Sequence, residues 1–236
     1  MPAIAILAGG LATRLKPVSE KIPKSLLPVA GEPFIQRQLR LLREKGIGRA
    51  VICAGHLGEM IRREVGDGGK LGLAVEYSFD GERLLGTAGA LRRAAPLLGE
   101  SFLVLYGDSY LDCDYASVWR AFLAGGKPAL MTLYRNEDRL DASNAVFADG
   151  EILAYDKKNR LPAMRHIDYG LGALSAAVLS RVEEGAFADL ADLYRELLAD
   201  GLLAGLEVRE RFYEIGSFAG LEELSARLAR RGRGAT

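Results

Sequence analysis

The chain opens with the segment Ala3-Ile4-Ala5-Ile6-Leu7-Ala8-Gly9-Gly10-Leu11-Ala12-Thr13-Arg14-Leu15-Lys16-Pro17, and a second segment follows as Pro23-Lys24-Ser25-Leu26-Leu27-Pro28-Val29. The apolar start of the first segment predicts a strand buried in a parallel sheet. The glycine pair allows a sharp turn and close approach of the backbone to a ligand. A hydroxyl, a guanidinium and an ammonium group follow at Thr13, Arg14 and Lys24, and all three suit phosphate oxygens. The segment therefore predicts a phosphate-binding loop after a central strand.

Two common phosphate-binding loops are excluded by spacing. A Walker A loop needs Gly-x-x-x-x-Gly-Lys-Ser/Thr, which the opening segment lacks. The dinucleotide fingerprint needs Gly-x-Gly-x-x-Gly, and the residues from Gly9 to Arg14 do not supply it. The loop is therefore of another kind.

The two halves of the segment resemble the signature of the sugar-phosphate nucleotidyltransferases, the nucleoside-diphosphate-sugar pyrophosphorylases. That signature reads Leu-Ala-Gly-Gly-x-x-Thr-Arg-Leu-x-Pro and then Pro-Lys-x-Leu-x-Pro-Val, and it matches residues 7–17 and 23–29. The chain looks closest to small bacterial enzymes that act on heptose, hexose or N-acetylmuramate 1-phosphates. The resemblance implies a transferase of cell-envelope polysaccharide biosynthesis. A cytoplasmic location is expected from the cysteine content and from the short apolar start of the chain.

The pattern of strands and helices predicts an α/β fold with a doubly wound, mostly parallel (Rossmann-like) sheet and a smaller sugar-binding β subregion. Residues 144–147 and 152–155 predict a hairpin, and a short helix is predicted at 89–95, before Pro96. No hexapeptide repeat is present, so we expect no C-terminal β-helix. Residues 1–236 are interpreted as a single nucleotidyltransferase domain, with a nucleotide-binding half over about 1–113 and a sugar-binding half over about 114–236.

In open parallel sheets, ligands bind at the carboxyl ends of the strands, where the opening loop, the Gly86 region and Asp108 are all predicted to lie. The resemblance implies that the segment around Gly86 packs against the nucleobase. The residues expected to bind the nucleotide are Leu7, Ala8, Gly9, Gly10, Thr13, Arg14, Lys24, Gly86, Thr87 and Ala88.

Asp108 directly follows an apolar strand, where a carboxylate is well placed to hold Mg²⁺. The resemblance implies that Asp108 is a metal ligand and that Glu214, in Tyr213-Glu214-Ile215-Gly216, is the second. The family has Asp where Glu214 stands, so a Glu214–Arg211 ion pair remains an alternative. Arg14, Lys24 and Asp108 are the candidate catalytic residues, and Mg²⁺ is the expected cofactor.

The resemblance also places the acceptor site. Asp156-Lys157 resembles the Glu-Lys pair of the family, whose lysine contacts the sugar 1-phosphate. Asn144, Tyr169 and Gly170 occupy places where the family contacts sugar hydroxyls. A turn asparagine and a core tyrosine remain alternative interpretations for Asn144 and Tyr169.

The implied reaction joins a nucleoside triphosphate, GTP or UTP, to a sugar 1-phosphate and releases pyrophosphate. Two alternatives stay open: a cytidylyltransferase for a phosphoalcohol such as phosphocholine, and a catalytically silent sugar-nucleotide-binding regulator. The sequence does not decide the nucleobase, the sugar, or whether the protein is a monomer or a homo-oligomer.

The composition excludes several other classes. The 31 basic and 31 acidic residues balance, so the chain has no overall attraction to nucleic acid or to an anionic membrane. Cys53 and Cys113 are expected to be buried free thiols of a reducing compartment, and the short apolar start does not predict a signal peptide or a membrane span. His56 and His166 form no recognisable metal-binding or triad pattern, which argues against a hydrolase.

Overall fold

The structure is a computed structural model that describes residues 1–10, 15 and 21–233. The strands are, in chain order, β1 (Ile4–Leu7), β2 (Pro28–Val29), β3 (Glu32–Pro33), β4 (Arg49–Ala54), β5 (Ala74–Phe79), β6 (Ser101–Tyr106), β7 (Ser109–Tyr110), β8 (Ala129–Arg135), β9 (Ala145–Ala148), β10 (Glu151–Tyr155), β11 (His166–Ser175), β12 (Leu203–Val208) and β13 (Tyr213–Glu214). The helices are α1 (Phe34–Glu44), α2 (Gly58–Val65), α3 (Gly86–Leu98), α4 (Tyr115–Gly125), α5 (Leu190–Ala199) and α6 (Phe218–Arg233).

Within the described part of the chain, nine strands form one central sheet. Its main path runs β10-β9-β11-β6-β1-β4-β5. In addition, β8 pairs with β11, and β12 pairs with β8. The strands β6, β1, β4 and β5 are mutually parallel, whereas β11 is antiparallel to both β6 and β8. The sheet is therefore continuous from the parallel strands of the first half of the chain to a mixed region formed by β8, β9, β10, β11 and β12.

Helices cover both faces of this sheet, as expected for a doubly wound fold. The helices α1, α2 and α4 pack on one face, and α3 and α5 pack on the other. Each helix buries one apolar side, such as Ile35, Leu39 and Leu42 of α1. Asp114 and Asp189 cap α4 and α5 by accepting hydrogen bonds from backbone N–H groups in the first turn. The predicted fold class is confirmed.

The predicted hairpin is also confirmed, because β9 and β10 pair antiparallel around Asp149 and Gly150. Both turn residues have positive φ, +51° and +83°, as a tight hairpin turn requires. The predicted helix at 89–95 was too short, since α3 begins at Gly86 and continues past Pro96 to Leu98. Pro96 lies in the last turn and removes one backbone hydrogen bond there, and the helix ends two residues later. None of the described helices is both long and apolar enough to cross a membrane.

Candidate active site

The carboxyl ends of the parallel strands meet at one edge of the sheet. Leu7 at the end of β1 pairs in register with Cys53 of β4 and with Tyr106 of β6. The chain leaves these strands through Gly9, Gly55 and Gly107, so three backbone turns crowd together at this edge. This is the place where open parallel sheets bind ligands.

Glycine is required at this edge by close backbone packing. A Cβ at Gly107 would lie 2.5 Å from the carbonyl oxygen of Leu7, and a Cβ at Gly55 would lie 2.8 Å from the carbonyl oxygen of Gly9. Both contacts are closer than real Cβ atoms come, and the opposing atoms belong to the backbone. Glycine at these positions therefore lets the backbone turns that follow β1, β4 and β6 pack directly against one another.

A first cavity of about 400 Å³ opens above this edge. Its walls come from the ends of β1, β4, β5 and β6, from the segment at Lys24 and from the start of α3. The lining residues are Leu7, Ala8, Gly9, Gly10, Pro23, Lys24, Ser25, Cys53, Asp80, Leu84, Gly86, Thr87, Ala90, Tyr106, Gly107, Asp108 and Phe187. Seven of the predicted nucleotide-binding residues are thus brought to one cavity: Leu7, Ala8, Gly9, Gly10, Lys24, Gly86 and Thr87.

Three other predicted nucleotide-binding residues are not placed at this cavity. Thr13 and Arg14 lie outside the described residues, so their predicted role stays a prediction. Ala88 lies behind the cavity wall, where its side chain is fully buried and its N–H donates to the Ala188 carbonyl at 2.9 Å. Ala88 therefore positions α3 from within the core.

Lys24 and Asp108 form an ion pair at the cavity. The Lys24 Nζ lies 2.5 Å from Asp108 Oδ2, and both side chains are partly exposed. Lys24 begins a short 3-10 helix after Pro23, and Asp108 follows β6 and Gly107. A cation and a carboxylate from distant parts of the chain therefore meet at the wall of the first cavity.

Thr87 serves the local structure as well as the cavity wall. Its Oγ1 accepts a hydrogen bond from the N–H of Leu190 at 2.7 Å and donates one to Asp189 Oδ1 at 3.1 Å. Gly86 has a φ of +70°, and a Cβ there would lie 2.5 Å from the carbonyl oxygen of Ala188. These contacts fix the start of α3 against the start of α5 and so set the shape of this wall.

A second cavity of about 430 Å³ lies beside the first. It is lined by Tyr106, Asp108, Ser109, Asp141, Ala142, Ser143, Asn144, Asp156, Lys157, Arg160, Ile167, Asp168, Tyr169, Gly170, Phe212 and Glu214. All five residues predicted for the sugar phosphate are among them: Asn144, Asp156, Lys157, Tyr169 and Gly170. Tyr106 and Asp108 line both cavities.

Lys157 is held by a buried network at the wall of the second cavity. Its Nζ lies 3.1 Å from Asp168 Oδ2 and donates a hydrogen bond to the Tyr106 hydroxyl at 3.0 Å. The hydroxyls of Tyr106 and Tyr155 donate to the same Asp168 oxygen at 2.9 Å and 3.3 Å. The Asp168 side chain is only 4% exposed, whereas the Lys157 side chain is 38% exposed and lines the second cavity.

The charged groups of this network fix the protonation states of Lys157 and Tyr106. Burial alone would lower the pKa of Lys157, but the nearby Asp168 and Tyr155 outweigh it and raise that pKa above its ordinary value. Burial and the Asp168 carboxylate raise the pKa of Tyr106 well above its usual range. Lys157 therefore stays cationic and Tyr106 stays a neutral donor at physiological pH.

Asn144 and Gly170 hold the segment around Asp168 in place. The Asn144 Oδ1 accepts a hydrogen bond from the Asp168 N–H at 2.9 Å, and the Gly170 N–H donates to Asp168 Oδ1 at 3.0 Å. Gly170 has a φ of +92°, and a Cβ there would lie 3.0 Å from the Tyr106 ring and 3.1 Å from the Ser109 hydroxyl. Only glycine fits this position without moving the cavity wall.

Two of the predicted acceptor residues have their side chains occupied elsewhere. The Tyr169 ring is 1% exposed and packs against Tyr134 and Phe212, which agrees with the alternative interpretation of a core tyrosine. The Asp156 carboxylate accepts hydrogen bonds from the N–H groups of Lys158 and Asn159 at 2.7 Å and 2.9 Å. These bonds lower the pKa of Asp156 to about 2 and fix the turn that follows Lys157.

Asp108 and Glu214 are brought to the same cavity by a small second sheet. The strands β7 and β13 pair antiparallel, with Glu214 opposite Ser109, and the Ile215 N–H donates to the Asp108 carbonyl at 2.9 Å. Arg211, the alternative partner of Glu214, forms an ion pair with Glu223 at 2.6 Å.

The donor set at this position fits Mg²⁺. The described residues contain no cluster of three or more His, Cys, Asp or Glu side chains that could enclose a metal. Two carboxylates are nevertheless a suitable set, because Mg²⁺ commonly binds through one or two carboxylates and completes its shell with phosphate oxygens and water. Asp108 and Glu214 are the residues that would hold the ion.

Tyr106 and Asp80 are among the lining residues that the sequence pattern did not single out. Tyr106 joins the two cavities, and Asp80 lines the first one directly after β5. Their position at the end of a strand was the available signal. The cysteines are buried and free as predicted, and burial raises the pKa of both Cys53 and Cys113 to about 12.

Comparisons with known proteins agree with this arrangement. A family model described as "Nucleotidyl transferase" matches residues 3–144. N-acetylmuramate alpha-1-phosphate uridylyltransferase of Neisseria meningitidis is 28% identical over 228 residues, which cover 94% of this chain and 96% of that protein. Mannose-1-phosphate guanylyltransferase of Mycobacterium tuberculosis is 30% identical over 200 residues, which cover 83% of this chain and 55% of that protein.

The fold is also similar to that of solved structures. A putative glucose-1-phosphate thymidylyltransferase from Bacillus anthracis superposes with a TM-score of 0.83 at 23% identity, over 95% of this chain and 94% of that one. The chain spans 55% to 60% of the length of the first curated relatives that it matches. Because the family model matches more than half of the sequence, the chain belongs to the nucleotidyl transferase family.

Proposed function

We propose that the protein transfers a nucleotidyl group from a nucleoside triphosphate to a sugar 1-phosphate and releases pyrophosphate. The observation that carries this proposal is that the first and second cavities share Tyr106 and Asp108. One cavity has the glycine turns and Lys24, and the other has Lys157. Two anionic substrates bound in them would meet at the shared residues.

In the proposed reaction, an oxygen of the sugar phosphate attacks the α-phosphorus of the triphosphate. A new phosphorus–oxygen bond forms as the bond from the α-phosphorus to the bridging oxygen breaks, and pyrophosphate leaves with that electron pair. A phosphate monoester has a second pKa near ~6, so the attacking oxygen is already ionised at neutral pH. The reaction therefore needs no general base, and no histidine is among the described residues that line the two cavities.

The main barrier is the repulsion between two polyanions, and the chain supplies cations against it. Lys24 lies at the triphosphate side, and Lys157 lies at the acceptor side with its ammonium group oriented by Asp168 and Tyr106. Arg14 is proposed to join Lys24 on the triphosphate. When bound by Asp108 and Glu214, Mg²⁺ would neutralise charge on the phosphate oxygens.

The second cavity favours a sugar over a phosphocholine as the acceptor. A choline group needs the open faces of aromatic rings. Tyr169 and Phe212 are only 1% and 8% exposed, so their faces are turned into the core. The carboxylates and the amide that line this cavity suit the hydroxyl groups of a sugar, which donate hydrogen bonds.

Residues 1–113 would hold most of the nucleotide, and residues 114–236 would hold most of the sugar.

The proposal is tested by pyrophosphate release with Mg²⁺. Each of GTP, UTP, CTP and ATP is combined with glucose, mannose and N-acetylmuramate 1-phosphates and with phosphocholine. We expect release with at least one sugar 1-phosphate, and none after EDTA is added. Turnover with phosphocholine alone would favour the phosphoalcohol enzyme. If nucleotides bind but no pair reacts, the protein is a silent regulator and the proposal is wrong.

A further inference from the structure

The two residues that both cavities share, Tyr106 and Asp108, lie in the turn that joins β6 to β7, residues 106–109. The backbone of this turn therefore sets where the Asp108 carboxylate stands relative to both cavities. The Ile215 N–H holds the middle of the turn, because it donates to the Asp108 carbonyl at 2.9 Å. The two ends of the turn are held by a side chain of α1.

That side chain is Gln38, in the second turn of α1. Its Nε2 donates to the Tyr106 carbonyl at 3.2 Å and to the Ser109 carbonyl at 2.8 Å. The residue is only 1% exposed, so both hydrogen bonds form away from bulk water. One buried amide group thus bridges the first and last residues of the turn that carries Asp108.

The other half of the Gln38 amide argues against a role in packing alone. Its Oε1 is buried and has no hydrogen-bond partner among the described residues. An unpaired buried acceptor lowers stability, and an apolar side chain of similar size has no such cost. A glutamine at this core position is therefore unfavourable for stability except through the two hydrogen bonds that its amino group donates to the turn.

The same helix is tied to the segment that carries Lys24. The Phe34 N–H at the start of α1 donates to the Leu27 carbonyl at 3.0 Å, and the Leu27 N–H donates to the Lys24 carbonyl at 3.0 Å. The helix is thus bonded to the backbone on both sides of the Lys24–Asp108 ion pair, at its start and, one turn later, through Gln38. These contacts fix the spacing of the cation and the carboxylate at the cavity wall.

We propose that Gln38 is a positioning residue, which holds the turn at residues 106–109 so that the Asp108 carboxylate faces the place where the two cavities meet. This inference rests on the proposed function, in which Asp108 would hold Mg²⁺. Loss of a group that orients a metal ligand typically lowers metal affinity or activity about 10-fold to 100-fold. A displacement of about 1 Å in a reacting site has a similar effect on the rate.

The variant Gln38→Met tests this role, because it removes both hydrogen bonds but keeps a side chain of similar size and high helix propensity. Gln36→Met is the matched control, since Gln36 lies in the same helix and donates to the Glu64 side chain at 2.6 Å on the exposed surface. In Gln38→Met we expect kcat for pyrophosphate release to fall about 10-fold or more, and the Mg²⁺ concentration for half-maximal rate to rise about 10-fold. The control should keep both wild-type values.

The Mg²⁺ requirement separates positioning from a simple loss of folded protein. A variant that is only less stable has fewer active molecules, which lowers the apparent kcat but leaves the Mg²⁺ concentration for half-maximal rate unchanged. Both variants are therefore assayed well below their Tm. An unchanged Mg²⁺ requirement in Gln38→Met, whatever its Tm, would show that Gln38 only packs in the core and would overturn the proposal.

Nuclear magnetic resonance tests the geometry in the wild-type protein without turnover. The chain has two glutamines, Gln36 and Gln38, so side-chain ¹⁵N-glutamine labelling gives two amide groups, which the spectrum of Gln36→Met assigns. We expect the Gln38 amide protons to exchange with solvent at least about 10-fold more slowly than those of Gln36. We also expect the Gln38 signals alone to shift when Mg²⁺ is added with GTP or with UTP. Equal exchange rates, or Gln38 signals that do not respond to a triphosphate that binds, would overturn the proposal even if Gln38→Met does not fold.

Failure of this inference can be told apart from failure of the proposed function. If wild type releases pyrophosphate and Gln38→Met does so equally well, the transfer reaction stands and Gln38 is not a positioning residue. If no substrate pair reacts but the Gln38 amide is protected and responds to Mg²⁺ with GTP or UTP, the positioning of the turn stands and the transfer reaction does not.

Discussion

The network around Asp168 makes a quantitative prediction for the variant Asp168→Asn. The Oδ2 atom of the wild-type carboxylate forms an ion pair with Lys157 and accepts hydrogen bonds from the hydroxyls of Tyr106 and Tyr155. Its Oδ1 atom accepts a hydrogen bond from the Gly170 N–H. Asparagine has nearly the same shape but no charge, and it has one amino group in place of an oxygen. Whichever way the amide turns, that amino group faces a donor.

The loss of stability can be worked from these contacts. Hydrogen bonds to a charged group contribute about 1.5–3 kcal/mol each to stability. The loss of stability is at the upper end of this range when one partner of a buried pair is removed. Lys157 is 38% exposed, so water recovers part of the loss at that side chain. We therefore expect the free energy of unfolding to fall by about 2 kcal/mol. For a domain of this size that corresponds to a fall in Tm of about 4–8 °C.

The same variant should have a selective effect on catalysis. Without Asp168 the ammonium group of Lys157 is no longer oriented toward the second cavity, whereas Lys24 in the first cavity is unaffected. We expect the KM for the sugar 1-phosphate to rise about 10-fold, with a much smaller change in the KM for the triphosphate.

Differential scanning calorimetry and steady-state pyrophosphate release measure the two effects, with Asp149→Asn as the control. A Tm within about 1 °C of wild type would show that the network does not stabilise the fold as argued. Equal changes in the two KM values would show that Lys157 does not belong to the acceptor side.

Two further predictions concern stability. Gly107→Ala should lower the free energy of unfolding by about 2–3 kcal/mol in urea titrations, because the new Cβ would press on the Leu7 carbonyl. The control Gly48→Ala should have little effect, because a Cβ at Gly48 meets no atom within 4 Å. Similar losses of stability in the two variants would contradict the packing argument. Burial lowers the pKa of His166 on folding, so the unfolded chain binds that proton more readily, and stability should be lost as the pH falls below about 6.5. His166→Phe should remove part of this acid sensitivity in urea titrations at pH 7 and pH 5, and an unchanged difference between the two pH values would exclude His166 as its source.

The parallel half of the fold could be predicted from local patterns. The apolar segments of β1, β4 and β6 are short, buried on both faces and bounded by turn residues, so they are recognisable without tertiary information. The strand β12 was not predicted. It contains Gly205, which weakens a strand pattern but is needed because a Cβ there would lie 2.6 Å from the Phe147 ring.

The residues of the candidate site could be predicted from the sequence where a motif marks them. They could not be predicted where tertiary packing decides the position of the side chain. The Lys24 and Asp108 side chains come from segments with a recognisable pattern, and the structure brings them to 2.5 Å. Tyr106 and Asp80 carry no motif, and their placement follows from the register of the sheet. For Tyr169, neighbouring aromatic rings turn the side chain into the core, which sequence spacing cannot reveal.

The two cavities are proposed to hold the two substrates of one reaction and to meet at Asp108. Pyrophosphate release by Asp108→Ala, measured beside wild type with Mg²⁺ and the best substrate pair, tests this claim most directly. Removal of one such charged group typically lowers the rate about 100-fold or more. The Lys24–Asp108 pair is partly exposed, so the variant should keep a Tm close to wild type. A folded variant with at least about 100-fold slower release agrees with the claim, and near wild-type turnover contradicts it.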